Sequence, residues 1–373
     1  MDYMATGLMS GTSLDGLDIA WCRFSYAKDQ WTYQILQAET ISYLTHWENQ
    51  LRNAHRLGAQ NLLQLHADYG TYIGSCLLDF YKRHQIAEPG IIASHGHTIF
   101  HRPENGYTFQ LGHGAAIAAT TRHAVVSDFR SLDVALKGQG APLVPIGDQL
   151  LFGQYGYCLN LGGFANISFS AGEKRRAFDI CPVNYVINQL VREQRPDEEQ
   201  PETMNASTMC CDLDGHLAMQ GHISHDLLTR LNNLPFYITK GPKSLGAEWV
   251  EENIRPLLSQ AGLNMVDTLR TYYEHVAIQV NRSILESEAA SQGKKQVLVT
   301  GGGAHNRFLM DVIRERADNQ IDYNLPDNTL IDFKEALVFA FLGVLWHWEQ
   351  PGCLSSVTGS IRDNIGGSKF IGC

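Results

Sequence analysis

The chain has 373 residues, with a hydrophobic share of 44% and a charged share of 18%, as expected for a soluble globular protein of two domains. Its formal net charge of −10 argues against a nucleic-acid partner, because a phosphate backbone is bound by a basic surface. The N-terminus lacks the basic start of a signal peptide and the eight cysteines include no C-x-x-C pair, so we expect a reduced, cytoplasmic protein with no membrane partner.

The first half of the chain predicts an α/β domain. It opens with three strand patterns within residues 3–39: YMATGLMS, LDIAWCRFSY and WTYQILQAET. A helical pattern follows from about Ala59 to Ile86. Next come a strand (IIASHGH), a helix (HGAAIAATTRH) and a strand (AVVSDF). The loop KGQGAPLVP, which contains glycine and proline, ends this half.

The second half repeats this order of elements. A strand, a glycine turn and a strand (YCLNLGGFANISFS) precede a third strand (RAFDIC) and a helix (NYVINQLVREQ). The strand QVLVTGGG and the helices HNRFLMDVIRERA and DFKEALVFAFLGVLWHWEQ follow. We therefore predict two similar domains, residues 1–150 and 151–373, with a ligand-binding cleft between them. Whether the last helix, apolar and buried from Ala336 to Trp348, packs on the first domain is left open, and REQRPDEEQPETMN predicts an exposed loop.

Four glycine-rich turns carry the chemistry of the sequence: SGTSLDGLD, NLGGFANIS, KGQGAPL and TGGGAHN. None is a P-loop or a Rossmann fingerprint, and each alone is more typical of a structural hairpin. Backbone N–H groups in such turns can nevertheless cradle a phosphate. TGGGAHN also stands directly before a helix, whose N-terminus favours negative charge.

Seven segments in order resemble the anhydro-N-acetylmuramic acid kinase family: MSGTSLDGLDIA, SHGHTIFHRP, SDFRSLDVALKGQGAPLVP, LNLGGFANIS, GPKSLGAEW, TGGGAHN and SVTG. The resemblance runs from residue 7 to about residue 359. It implies an α/β fold of two ribonuclease H-like, actin-like ATPase domains flanking a nucleotide-binding cleft. It also implies ATP and Mg²⁺ as cofactors, a small anhydro amino sugar as the partner, and a homodimer, on which the sequence itself is silent.

The resemblance assigns the glycine turns to the nucleotide. Gly11 to Asp18 would form the first phosphate loop, LNLGGFANIS the second, and TGGGAHN would lie against ribose and adenine. Asp15 would face Mg²⁺ through water, whereas for Asp18 a role limited to fixing the turn is equally open. The nucleotide-binding residues implied in this way are Gly11, Thr12, Ser13, Leu14, Asp15, Gly16, Leu17, Asp18, Gly162, Gly163, Asn166, Gly301, Gly302, Gly303 and Asn306.

The same resemblance makes Asp179, at the end of a strand, the catalytic base. It would direct water to C1 of 1,6-anhydro-N-acetylmuramic acid while O6 attacks the γ-phosphate. The alternative for Asp179 is a helix N-cap, for which Asn184 is the better candidate. The family usually has Thr, Gly and Gly where this chain has Ile180, Cys181 and Val183. We expect these apolar side chains to crowd the place of the sugar and its water, which leaves the accepted sugar open.

The strand SHGHTIFHRP is expected to face the sugar. Simple alternation puts His95 and His97 on one face, so a metal site is conceivable there. Hydrogen bonds from His95 and Thr98 to the sugar are the favoured interpretation.

Arg130 matches the substrate arginine of the family. Its guanidinium suits the lactyl carboxylate or an anhydro oxygen, and the alternative is a surface ion pair with Asp128 or Asp133. Glu335, at the start of the last long helix, is expected to close the base of the cleft on the substrate side.

These features predict a cytoplasmic ATP- and Mg²⁺-dependent kinase of cell-wall recycling that acts on an anhydro amino sugar. The alternatives are a related sugar kinase with another substrate and a non-catalytic sensor with an ATPase fold, because a fold does not by itself fix a function.

Overall fold

The computed structural model describes residues 1–11, 14–193, 211–239, 243–287, 295–317 and 319–372. The chain divides into two compact units: the first is Met1–Gly153 with Phe333–Cys373, and the second is Gln154–Asp332. The boundary expected at residue 150 lies near the end of the first segment. The range 151–373 does not stay together, however, since its last part belongs to the first unit. Most of the predicted exposed loop, from residue 194 onward, lies outside the described residues.

The first unit is built on one sheet. Its strands are β1 (Asp2–Ser10), β2 (Leu17–Ala27), β3 (Gln30–Ile41), β4 (Ile91–Arg102), β5 (Tyr107–Leu111), β6 (Val125–Ser127) and, near the C-terminus, β12 (Ser368–Phe370). Its helices are α1 (Thr45–Asn53), α2 (Ala59–Arg83), α3 (Gly114–Thr121), α4 (Ser131–Ala135), α5 (Pro145–Leu150) and α14 (Ser355–Thr358), with most of α13 (Asn328–His347). The short strands β5 and β12 and the short helices α1, α4, α5 and α14 are not predicted by the sequence patterns.

The sheet of the first unit joins an antiparallel meander to parallel strands. Its order is β12-β6-β4-β1-β2-β3, and β5 pairs with β4 off this path. β1 pairs antiparallel with β2 but parallel with β4, and β4 continues parallel to β6. Apolar side chains of α2 and α3, among them Leu77, Phe80 and Ile117, pack with Leu8 and Ile92 of the sheet.

The long apolar helix α13 is buried, as its composition predicts. Leu337, Val338 and Phe341 are fully inaccessible, and the Phe341 ring lies 5.2 Å from that of Phe24 in β2. This contact explains why the last part of the chain belongs to the first unit, because an all-apolar helix is stable only when it is covered on most sides. Among the described residues, no helix combines the length and apolar character needed to cross a membrane.

Gly7 allows β1 and α13 to approach at backbone distance. A Cβ atom at this position would stand 1.8 Å from the Ala336 carbonyl oxygen and 2.5 Å from the Ala340 nitrogen. We expect Gly7→Ala to lower the free energy of unfolding by about 1–3 kcal/mol or more, since backbone cannot move aside as a side chain does. Denaturant titration measures this, with Gly58→Ala as the control because nothing lies within 4 Å of its Cβ position. Equal stability of both variants would contradict the tight packing.

The second unit has a sheet of the same kind. Its strands are β7 (Tyr157–Leu161), β8 (Phe164–Ala171), β9 (Lys174–Pro182), β10 (Lys295–Thr300) and β11 (Ile321–Asn324). Its helices are α6 (Asn184–Glu193), α7 (His225–Asn232), α8 (Pro235–Ile238), α9 (Ala247–Trp249), α10 (Arg255–Gln260), α11 (Met265–Leu285) and α12 (Arg307–Arg316), and α13 begins in it.

Five strands of the first sheet, β6-β4-β1-β2-β3, have the same order as the five strands of the second, which confirms the predicted α/β fold class and its repeat. In the second unit the order is β11-β10-β7-β8-β9, with the meander β7-β8-β9 antiparallel and β10 parallel to both β7 and β11. The core lies between this sheet and the helices led by α11, where Tyr272, Val276 and Val280 are inaccessible. Such a meander continued by parallel strands is the ribonuclease H-like, actin-like arrangement.

Candidate active site

In the first unit, the turn between β1 and β2 is stabilised by a hydrogen bond within the turn and by buried leucine side chains. The N–H of Leu14 donates to the carbonyl of Gly11 at 3.3 Å, and Leu14 adopts a left-handed backbone with φ of 62°. The side chains of Leu14 and Leu17 are buried in the core of the unit, so only their backbone is available to a ligand. Gly16 is required by space, because a Cβ there would lie 2.6 Å from the Ile41 carbonyl oxygen.

The two carboxylates of this turn have different surroundings. Asp15 is exposed, and its carboxylate has no hydrogen-bond partner among the described residues, so it is available to a hydrated cation. Asp18 accepts a 2.6 Å hydrogen bond from the Thr40 hydroxyl of β3, to which β2 is paired. Asp18 therefore does help to fix the turn, and a role toward phosphate or metal stays a prediction. Thr12 and Ser13 lie outside the described residues.

The expectation that His95 and His97 share one face of β4 is wrong. Gly96 between them has a φ of 73°, and the register of β4 against β1 shifts at this point. The His95 ring contacts Phe339 of α13, with centroids 4.8 Å apart. The Nδ1 atom of His97 instead lies 3.1 Å from Ser10 Oγ, which is linked through the Tyr43 hydroxyl to Tyr69 of α2. The left-handed glycine breaks the alternation, so the two rings do not form a metal site.

Arg130 forms hydrogen bonds with neutral partners and not with Asp128 or Asp133, the acidic residues considered from the sequence. Its Nε and Nη2 atoms lie 3.0 and 2.8 Å from Nε2 of His95, and its Nη1 donates to the Gly140 carbonyl at 2.7 Å. Asp128 accepts instead from Ser131, and Asp133 accepts from the Gly140 amide. One N–H group on each terminal nitrogen of Arg130 has no partner among the described residues and can hold an anion or an ether oxygen.

The hydrogen bonds between Arg130 and His95 fix the tautomer and the charge of the His95 ring. Because Nε2 faces a guanidinium, the ring proton belongs on Nδ1, which donates to the Gly96 carbonyl at 2.8 Å. Burial and then the charge of Arg130 hold the pKa of His95 well below its usual range. Burial lowers the pKa of Arg130 to about 10, which leaves it charged at neutral pH. Both nitrogens of His95 are thus engaged, and the expected hydrogen bond from its side chain to the sugar gives way to a role in holding Arg130.

Two further predicted sugar residues lie in the first unit. Thr98 pairs with Gln110 of β5, and its hydroxyl is 3.4 Å from the Gln110 amide nitrogen. Burial raises the pKa of Glu335, and the positive charges of Lys334 and Arg130 oppose this shift. Glu335 is therefore electrostatically linked to Arg130, and direct contact of Thr98 and Glu335 with a sugar stays a prediction.

In the second unit, a row of polar residues crosses the sheet. Thr300 of β10 pairs with Asn160 of β7, Asn160 with Asn166 of β8, and Asn166 with Asp179 of β9. Paired residues of neighbouring strands project to the same face. Asn160, Asn166 and Asp179 are only partly buried. The sequence predicted Asn166 and Asp179 separately, and the register places them side by side.

Asp179 is clamped by the segment that follows α8. Its N–H donates to the Lys243 carbonyl at 2.9 Å, and its Oδ2 accepts the N–H of Leu245 at 2.8 Å. Its Oδ1 has no partner among the described residues. Asp179 lies within β9 and not at a helix end, so the N-cap alternative is wrong. The sequence offered GPKSLGAEW as a motif without a role, and this motif supplies the clamp.

Burial raises the pKa of Asp179 to about 6, although the bond from the Leu245 amide opposes the shift. If Asp179 acts as a base, kcat/KM for the sugar should fall about tenfold per pH unit below pH 6 and level off above it. A pH–rate profile of the wild-type protein measures this, with ATP saturating throughout. A flat profile between pH 5 and pH 7 would contradict the assignment.

The raised pKa of Asp179 also affects the stability of the fold, which should fall with rising pH where kcat/KM rises. A carboxyl whose folded pKa is raised contributes stability that is fully present below its ordinary value of 3.8 and is lost as pH rises through about 6. Asp179 is therefore a residue whose ionised form costs the fold free energy, as is common for groups whose pKa serves catalysis.

The residues that depart from the family pattern do not crowd open space. Ile180, Cys181 and Val183 are all buried in the hydrophobic core of the second unit. The pairing of β8 with β9 shifts at Ile180, because Ala165 pairs with Cys181 while the next residue, Asn166, pairs with Asp179. The expectation that these side chains obstruct the sugar is therefore wrong: all three are buried in the core, and the bulge lets Cys181, two residues after Asp179, turn away from the polar row.

The NLGGFANIS and TGGGAHN turns meet around the start of α6. The carbonyl of Gly163 accepts the N–H groups of Val183 and Tyr185, and that of Gly162 accepts the N–H of Asn184. Asn184, the predicted cap, is the first residue of α6 and donates from its side chain to the Leu161 carbonyl. These bonds tie the β7–β8 turn to the helix start, so the loop is rigidly placed.

The TGGGAHN turn packs on the end of β7. A Cβ on Gly301, whose φ is 84°, would lie 2.2 Å from Oδ1 of Asn160, and one on Gly303 would lie 2.8 Å from the Leu161 carbonyl oxygen. Gly302, between them, has only the side chain of Asn184 near its Cβ position, at 3.8 Å. Close approach of two chains explains why Gly301 and Gly303 are glycines.

Asn306 has a structural role that its motif did not reveal. Its Oδ1 accepts from the N–H of Leu309 as the N-cap of α12, and its Nδ2 donates to the Asp212 carbonyl and the Tyr273 hydroxyl. Its side chain is thus occupied, and a contact with the nucleotide stays a prediction. An asparagine directly before an apolar helical pattern is the signal from which this cap can be found.

Comparison with known proteins shows the family of the chain. A profile of the anhydro-N-acetylmuramic acid kinase family matches residues 3–372. The chain belongs to the anhydro-N-acetylmuramic acid kinase family. Proteins of that name are 32% identical in Pseudomonas syringae pv. tomato, over 96% of this chain and 97% of the relative, and 33% identical in Pseudomonas fluorescens, over 97% and 96%. A third, from Shewanella sp. strain ANA-3, is 31% identical over 98% and 97%.

Two solved structures resemble the chain at low sequence identity. Component A of the (R)-2-hydroxyglutaryl-CoA dehydratase of Acidaminococcus fermentans is 10% identical, with 91% of this chain and 96% of that chain covered and a TM-score of 0.42. Hexokinase from Schistosoma mansoni is 11% identical, with 91% and 85% covered and a TM-score of 0.35. These scores are too low to decide the fold, which rests on the strand order of the two sheets.

Proposed function

We propose that this member of the anhydro-N-acetylmuramic acid kinase family opens 1,6-anhydro-N-acetylmuramic acid with water and phosphorylates O6 from ATP, in the recycling of cell-wall sugars. The family supports the reaction class. The observation that carries the proposal is the Asp179 carboxylate, which combines a raised pKa, one oxygen held by the Leu245 amide and one oxygen without a partner among the described residues. A base with these properties can be ionised at neutral pH and still accept a proton.

In the proposed reaction, Oδ1 of Asp179 takes a proton from water. The water oxygen bonds to C1, the bond from C1 to O6 breaks, and O6 attacks the γ-phosphorus, whose bond to the departing ADP oxygen breaks. The product is N-acetylmuramic acid 6-phosphate with ADP. The Leu245 amide holds Oδ2, so Asp179 is fixed in orientation at little entropic cost when the substrate binds.

In the first unit, we assign the sugar contacts to Arg130, Thr98 and Glu335. The N–H groups of Arg130 left by His95 and Gly140 suit the lactyl carboxylate or an anhydro oxygen. His95 orients Arg130 in this proposal and does not touch the sugar.

For the nucleotide, we assign the phosphates to the two glycine turns, Gly11 to Asp18 and Gly162 to Asn166, and the adenosine to Gly301 to Asn306. The exposed carboxylate of Asp15 fits a hydrated Mg²⁺, which would neutralise charge on the phosphates when bound. The cytoplasmic location and the homodimer expected from the sequence remain predictions.

The test follows the oxygen atoms of the reaction. The protein is incubated with ATP, Mg²⁺ and the anhydro sugar in heavy-oxygen water, and the products are analysed at once because a free sugar slowly exchanges its C1 oxygen. We expect one solvent oxygen at C1 and none in the phosphate.

Two results would overturn the proposal. Label in the phosphate would mean that water attacks phosphorus, as in an ATPase. Rapid formation of an unlabelled phosphosugar from an open hydroxyl sugar, with no turnover of the anhydro sugar, would establish the related kinase with another substrate. The burial of Ile180, Cys181 and Val183 removes the structural reason to favour that alternative.

A further inference from the structure

Asp133, in α4, is a buried carboxylate to which the reaction gives no role. It is fully inaccessible, yet both of its oxygens are in use. Its Oδ1 accepts from Cys353 Sγ at 3.1 Å, Thr358 Oγ1 at 2.9 Å and Asn364 Nδ2 at 2.8 Å. Among the residues that the structure describes, its Oδ2 accepts the Gly140 N–H alone, at 2.7 Å. One oxygen therefore holds the C-terminal segment, and the other holds the loop that contains Gly140.

The surroundings keep this carboxylate charged. Burial alone would raise the pKa of Asp133, but the hydrogen bonds from Cys353, Asn364, Gly140 and Thr358 outweigh burial and place its pKa below the usual range. Hydrogen bonds to an ionised acceptor are about twice as strong as those between neutral groups. The Gly140 amide is thus held more firmly than a neutral partner would hold it.

The loop held by Asp133 leads directly to Arg130. The Gly140 amide binds Asp133, while the Gly140 carbonyl accepts Nη1 of Arg130 at 2.7 Å. Gly140 has a φ of 67°, and a Cβ on Gly138 would stand 2.2 Å from Asp133 Oδ2. The loop therefore closes on the carboxylate so tightly that only glycine fits at residue 138.

We propose that Asp133 is a positioning residue for the sugar subsite. Through Oδ2 it fixes Gly140, whose carbonyl, with Nε2 of His95, sets the angle of the Arg130 guanidinium toward the sugar. The inference rests on the proposed role of Arg130 as a sugar ligand. Since Asp133 touches no substrate in this arrangement, its loss should act on sugar binding through Arg130 and leave nucleotide binding alone.

The test compares two variants that weaken the same carboxylate. Asp133→Asn removes the charge and places the Gly140 bond at risk, whereas Thr358→Val removes one of three donors to Oδ1 and leaves Oδ2 with Gly140. We expect Asp133→Asn to raise KM for the anhydro sugar about tenfold or more, with KM for ATP unchanged. Thr358→Val should lower the melting temperature without this change in sugar KM.

A double-mutant cycle adds a readout that general destabilisation does not move. If Asp133 acts through Arg130, Asp133→Asn should cost little further sugar affinity in an Arg130→Lys background. Equal effects of Asp133→Asn and Thr358→Val, or full additivity with Arg130→Lys, would overturn the proposal. Should Asp133→Asn fail to fold, Gly138→Ala replaces it, because its Cβ would displace Oδ2 from Gly140.

Solvent exchange of the Arg130 Nε–H proton, followed by NMR, tests the grip independently of catalysis. The signal is assigned by its loss in Arg130→Lys. We expect slow exchange in the wild-type protein and in Thr358→Val, and faster exchange in Asp133→Asn or Gly138→Ala. Exchange at the solvent rate in the wild-type protein would overturn the inference. Absence of turnover of the anhydro sugar would instead count against the proposed function and leave this measurement valid.

Discussion

Asp179→Asn is expected to lower turnover of the anhydro sugar by roughly 10²–10⁴-fold, the usual contribution of a positioned general base. The amide keeps the shape of the side chain, and its oxygen can still accept the Leu245 N–H that binds Oδ2 in the wild-type protein. What it loses is the ability to take a proton from water. Affinity for ATP should stay the same, because the phosphates are assigned to the glycine turns. Steady-state kinetics with both substrates varied in turn measures the two effects separately.

The control is Asp322→Asn, which makes the same chemical change on β11, at the opposite edge of the same sheet. It should leave turnover within about twofold of the wild type. The stability of Asp179→Asn gives a second check, since removing a carboxyl with a raised pKa should stabilise the fold at pH 8 and not at pH 4. A variant with near-normal turnover would show that another group activates the water.

The three-stranded meanders of both units follow from the sequence because they depend on local patterns. Strands β1 to β3 and β7 to β9 alternate or run as apolar segments between glycine turns, and these patterns suffice to predict strands and their repeat. The five-residue strand β5 is missed even though Asn105 and Gly106, in the turn before it, form a hairpin dipeptide, because so short a segment shows little alternation.

The errors in the candidate site share one physical cause. Simple alternation assumes a regular strand, and both β4 and β9 are irregular where the site lies. The left-handed Gly96 separates His95 from His97, and the extra residue Ile180 lets Cys181 enter the core although it stands two residues from Asp179. A glycine that needs positive φ and a bulge that depends on the neighbouring strand cannot be located from composition alone.

The residues that position Asp179 and Arg130 could not be predicted from the sequence, for a different reason. Leu245 acts on Asp179 through its backbone N–H, and Gly140 acts on Arg130 through its carbonyl, so neither side chain carries the signal. Asp133 was considered only as an ion-pair partner of Arg130, because nearness in sequence says nothing of a contact with Cys353 or of burial. Contacts over more than two hundred residues require the fold.

Arg130→Lys is expected to raise KM for the anhydro sugar by about 10- to 100-fold, the range for losing a hydrogen bond to a charged group. An ammonium group has three donors on one nitrogen and cannot bind His95, the Gly140 carbonyl and a substrate oxygen at the spacing of a guanidinium. KM for ATP should not change, since Arg130 is assigned to the sugar. Kinetics at saturating ATP, with the sugar varied, measures the effect.

The matched control is Arg83→Lys. Arg83 also makes two hydrogen bonds, to the two carboxylate oxygens of Glu39 at 2.9 and 3.0 Å, but it lies on an exposed surface of the same unit. An exposed pair of this kind contributes at most about 1 kcal/mol to stability, so its kinetics should match the wild type. If Arg130→Lys instead weakens ATP and spares the sugar, the arginine belongs to the nucleotide site. His95 and Gly140 would then orient Arg130 toward a phosphate. Because both partners are neutral, the positive charge of Arg130 would remain available to that phosphate.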